Sequence, residues 1–69
     1  MIEVFKTDVQ NKQQAKTVIG LLKNSFSEAD INFDLSACDK ILRVEAANLY
    51  SLAVVHDVMA LGLKCEILN

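Results

Sequence analysis

The side chains whose chemistry invites a function are few and far apart: Cys38, Cys65, the lone His56, and Asp8, Asp34 and Asp39. Nucleophilic catalysis needs a serine or cysteine within hydrogen-bond reach of a base. No Ser/His/Asp or Cys/His arrangement here has that spacing. His56 falls at the edge of an apolar helical stripe, beside Leu52 and Met59, where a boundary role accounts for it. Asp8, Asp34 and Asp39 cluster toward one end of the expected fold and invite a divalent cation, yet turn and cap chemistry explains them. Two cysteines make no disulfide framework, a device of secreted chains. Cys65, in an apolar strand aligned with Ile67, behaves as a small hydrophobe, and Cys38, in a turn, is an exposed free thiol. The chain is therefore expected to be non-catalytic and to hold no cofactor.

Composition removes further classes. The 69 residues are 52% hydrophobic, with no proline and two glycines, enough for a real core and too apolar for disorder. The formal charge is −2 and the basic residues are scattered. Nucleic-acid binding rests on a basic face that displaces counterions, and none is visible. No apolar run approaches the roughly 20 residues that cross a bilayer. Ile2-Glu3-Val4-Phe5-Lys6 lacks the pattern of a signal peptide. A cytoplasmic location is expected.

The elements that must position these residues follow from periodicity. Met1 to Thr7 alternates as a strand, with Ile2 and Val4 assigned to one face. After a loop at Asp8 to Gln10, Asn11 and Gln14 resemble a capping box. Ala15, Val18, Ile19, Leu22 and Phe26 then form one helical stripe, and Ser27 to Asp30 breaks it. Ile31, Phe33 and Leu35 alternate as a second strand. Ser36 to Asp39 turn, and Lys40 to Ala46 return as a third strand. Asn48 is the expected N-cap of a second helix, with Leu52, Val55, Val58 and Met59 on one side. Gly62 is placed to stop it in the left-handed conformation. Cys65 to Leu68 form a last strand. The order βαββαβ predicts one α+β domain over 1–69, a ferredoxin-like sandwich. Its four-stranded antiparallel sheet has the order 4-1-3-2, with both helices on one face.

In layout the chain resembles the heavy-metal-associated domain of copper chaperones and metal-pumping ATPases. In that family the first strand runs into a Met-Thr-Cys-x-x-Cys loop, and the second helix ends in an apolar residue and Gly. Here the loop reads Lys6-Thr7-Asp8-Val9-Gln10-Asn11, and the second site reads Leu61-Gly62-Leu63. Asp8 and Asn11 stand where the family has its thiolates. Cu(I) selects soft sulfur ligands, whereas a carboxylate and an amide suit hard cations. The resemblance thus implies a degenerate copper-chaperone-like member that keeps the scaffold and loses metal transfer. Docking onto another protein is the family behaviour that can survive. The alternative is metal or thiol handling through Cys38 with Asp8 and Asn11.

With Ile2, Val4, Leu42 and Val44 turned to the helices, Glu3, Phe5, Ile41, Arg43 and Glu45 face outward. Phe5, Ile41 and Leu68 then expose apolar area, a mark of contact surfaces, and Arg43 pairs with Glu3 and Glu45. RNA-recognition motifs share the topology and stack bases on central-strand aromatics. Lys40-Ile41-Leu42-Arg43-Val44 has no aromatic, and the acidic balance opposes that function. The expected function is a binding module with an interface at Phe5, Ile41, Arg43 and Leu68. Its expected partner is a protein, with a second copy of the chain as one candidate.

Overall fold

A computed structural model describes residues 1–34 and 40–68. Strand β1 spans Ile2–Thr7 and leads through a short loop into helix α1, Lys12–Ser25. The helix begins where its sequence can satisfy orphan N–H groups. The Asn11 side chain accepts the Gln14 N–H at 2.9 Å, and Gln14 Oε1 accepts the Gln10 N–H at 2.7 Å. This is the expected box, with its return bond made to the residue before the cap. Strands β2, Asp30–Asp34, and β3, Lys40–Glu45, follow, then helix α2, Ser51–Ala60, and strand β4, Cys65–Leu68. Leu35, Cys38 and the turn expected at Ser36 to Asp39 lie outside the described residues.

The start of α2 differs from expectation. Its cap is Tyr50, not Asn48, and makes no side-chain hydrogen bond. The first turn is held instead by the Tyr50 carbonyl, which accepts from Ala53 and Val54 at 3.0 and 3.3 Å. Its end is as expected. Gly62 adopts φ 83° and donates its N–H to Met59 O at 2.9 Å, a left-handed stop that a Cβ would strain.

The strands form one antiparallel sheet in the order β2-β3-β1-β4, which counted from the β4 edge is 4-1-3-2. Directly paired residues share a face, so the register sorts the sheet into two sides. Phe5 lies opposite Leu42 and Ile67, Thr7 opposite Cys65, and Ile31 opposite Val44. This side is buried against Ala15, Val18 and Leu22 of α1 and Val54 and Val58 of α2. Val9, Ala29 and Leu49 close the core from the connecting segments. Both helices therefore cover one face of the sheet.

The structure reverses the expected facing of β1 and shifts that of α2, where Val58 is buried and Val55 packs against the core as expected. Phe5, expected to point outward, is fully buried, while Ile2 is 48% exposed and Val4 shares its outer side. A one-residue slip in a period-two strand exchanges every side chain between faces. Both parities of β1 carry hydrophobes, and the larger aromatic takes the core. In α2, Leu52 and Met59 are exposed, and the buried stripe runs through Val54 and Val58. Apolar residues occupy most positions of this helix, so spacing does not single out one face. Packing against β4 and α1 does.

Candidate functional site

Two places merit consideration: the β1–α1 loop, where the resemblance puts a metal, and the sheet face that no helix covers. The loop is tied down by its own polar groups. Thr7 Oγ1 donates to Lys40 O at 2.9 Å and accepts the Val9 N–H at 3.3 Å, which holds Val9 inside the core. Asp8 Oδ1 accepts the Lys64 N–H at 2.8 Å, clasping the loop to the segment that enters β4. Asn11 caps α1. An oxygen of Asp8 and one of Asn11 thus already accept backbone N–H groups, and neither residue offers the soft sulfur that a heavy metal selects. Asp8 and Asn11 do not fit such an ion. Cys38 and Asp39, the other groups expected at this end, lie outside the described residues.

Cys65 is 7% exposed and packs in the core on the helix side of the sheet, as its alignment with Ile67 implied. Burial, with a smaller contribution from the Glu66 carboxylate, pushes its thiol up to about 11. A buried, protonated thiol is neither a nucleophile nor a ready metal ligand. His56 is exposed on α2. Among the described residues, no three His, Cys, Asp or Glu side chains come together as a metal cluster.

The uncovered face is built by register. Val4 sits at its centre, opposite Arg43 of β3 and Leu68 of β4. Ile41 lies opposite Lys6, and Lys6 in turn lies opposite Glu66. Ile2 pairs with Glu45 at one end. Three of the four expected interface residues, Ile41, Arg43 and Leu68, stand here, and Phe5 does not. Ile2 and Val4 take its place. The signal that could have found them is the parity rule: once Phe5 goes inside, its alternates must go out. Glu3 pairs with Val44 on the helix side, so the expected Glu3–Arg43–Glu45 ladder does not form. The cross-strand neighbours of Arg43 are Val4 and Asn32.

The outer face therefore carries Ile2, Val4, Ile41 and Leu68 as its apolar residues, with Lys6, Arg43, Glu45 and Glu66 and, from β2, Asp30, Asn32 and Asp34 around them. Ile2 is 48% and Leu68 39% exposed, so this patch retains area to bury. At its Lys6–Glu66 end it borders a depression of about 260 Å3 lined by Lys6, Thr7, Asp8, Lys64 and Glu66. No helix among the described residues is long and apolar enough to cross a membrane. Comparison with family models, with curated proteins and with solved structures gives no match.

Proposed function

We propose that the chain is a non-catalytic binding module of the ferredoxin-like type. In this reading it is a relative of the heavy-metal-associated domain that has given up its metal site and acts through protein contacts. The observation that supports this most is the uncovered sheet face, apolar at Ile2, Val4, Ile41 and Leu68 and bordered by charges of both signs. A second copy of the chain is one candidate partner. Lys6 and Arg43 of one copy can meet acids of the other about a two-fold axis, although Asp30, Asp34, Glu45 and Glu66 outnumber them on this face. The loop supports the same reading from the other direction, because Asp8 and Asn11 serve the scaffold.

Sedimentation of the wild type and of the Ile2→Lys/Leu68→Lys pair tests it, with circular dichroism as a fold control. Both positions lie outside the core, so the pair is expected to stay folded. Losing two apolar contacts of this kind costs about 2–4 kcal/mol, or roughly 30- to 700-fold in dimer affinity. A concentration-dependent dimer in the wild type, absent from the variant, is the expected result. A wild type that stays monomeric at millimolar concentration sinks the homodimer, and an unaffected dimer in the variant moves the interface elsewhere.

A further inference from the structure

The open edge of β2 and the flank of α1 border a groove of about 420 Å3. Ile19, Ile31 and Phe33 supply apolar lining, with Ile19 and Phe33 only partly covered. Lys12 and Lys16, one helical turn apart on α1, stand over the groove. Both are exposed, and among the described residues neither has an ion-pair partner. Among the described residues only β3 pairs with β2, so alternate residues of β2 turn their N–H and C=O groups toward the other edge. Edge backbone left unpaired among the described residues, an apolar floor and two lysines thus lie side by side, with Asn32 and Asp34 completing the lining.

We infer that this groove takes an extended acidic segment of a partner protein as a fifth strand on β2. The added strand sets an apolar side chain against Ile19 and Phe33. It sets an acidic one, two residues away on the same face, against Lys12 and Lys16. Main-chain bonding to a sheet edge gives such recognition its affinity, and the pockets for alternate side chains give it selectivity. The charges of β2 decide against a second copy as occupant. Antiparallel pairing about a two-fold at Asn32 sets Asp30 of one copy directly opposite Asp34 of the other, and like charges so placed repel. The same aspartates keep acids off the outer side of an added strand. Its acidic positions therefore belong on the groove side, between neutral or basic residues. This surface is separate from the outer sheet face, so either interface can fail without the other.

Selection of a displayed random heptapeptide library against the full chain tests the inference. Enriched sequences are then titrated against wild type and a Lys12→Glu/Lys16→Glu double variant, with backbone amide shifts followed by NMR. The variant is expected to fold, because both positions are exposed and an acid in place of Lys12 suits the helix dipole in a first turn that has none. Circular dichroism checks this. The expected outcome is enrichment of acidic and apolar residues at alternating positions, with shifts centred on Ile31 to Phe33. Binding is expected to weaken at least about tenfold on charge reversal and with added salt. Failure to enrich any sequence, enrichment without acids, indifference to the charge reversal, or shifts on the outer face around Val4 would each overturn it.

Discussion

Truncating Phe5 tests the β1 register on which the outer face depends. Its ring is fully buried between Leu42 and Ile67 on the neighbouring strands. Phe-to-Ala changes at such sites cost about 3–5 kcal/mol, from lost transfer energy plus the cavity left behind. A domain of this size has a total stability of about 3–10 kcal/mol, at roughly 0.05–0.15 kcal/mol per residue. Phe5→Ala therefore removes much or all of the margin, and Phe5→Leu, at about 1–1.5 kcal/mol, keeps a measurable folded state. Ile2→Ala, on the opposite face and half exposed, is expected to cost about 1 kcal/mol or less. Urea denaturation followed by far-ultraviolet circular dichroism gives the three values. Should Ile2→Ala prove as damaging as Phe5→Ala, β1 is shifted by one residue and the outer face described above does not exist.

Three further outcomes follow from single residues. Gly62→Ala meets no atom within 4 Å, so its cost is purely that of a Cβ at φ 83°, about 1 kcal/mol, or roughly 4–8 °C in melting temperature. Gly20→Ala, in the exposed middle of α1 with equally open space, is expected to gain about 0.5–1 kcal/mol; equal and opposite results would exchange the two backbone assignments. The Cys65 thiol, raised from 9.0 to about 11, stays protonated in the folded chain after the unfolded chain has lost its proton. Its contribution is therefore complete below pH 9 and lost as pH rises toward 11. Urea midpoints of wild type and Cys65→Ala should converge or cross over that interval, and parallel curves would show that the thiol is not desolvated.

The element order was legible because each segment carries its own signal. Helix α1 has a polar cap at Asn11 and a stripe at Ala15, Val18 and Leu22, and α2 stops at a glycine that only the left-handed region explains. Facing was legible only where one parity is polar. In β3, Arg43 and Glu45 alternate with Leu42 and Val44, so Ile41 and Arg43 were rightly set outward. In β1 both parities are apolar, and the decision rests on Leu42 and Ile67, which lie far along the chain. The same holds for the loop. Asp8 resembles an orphaned ligand in the sequence because the group it binds, the Lys64 N–H, is 56 residues away. Local pattern does not encode such a partner.

The place of β1 in the middle of the sheet has a consequence during synthesis. Its two neighbours, β3 and β4, are made at different times, and β4 is completed only when the chain extends through Leu68. At roughly 5–20 residues per second, the stretch after β3 takes about 1–5 s to produce. Throughout that interval one whole edge of β1 beside Phe5 stays unmet, and the Asp8 clasp has nothing to hold. An edge so left open and backed by apolar side chains is the kind of surface that aggregates if left free. Lengthening the delay with slow codons between Ala46 and Cys65 should lower soluble yield without altering the finished fold.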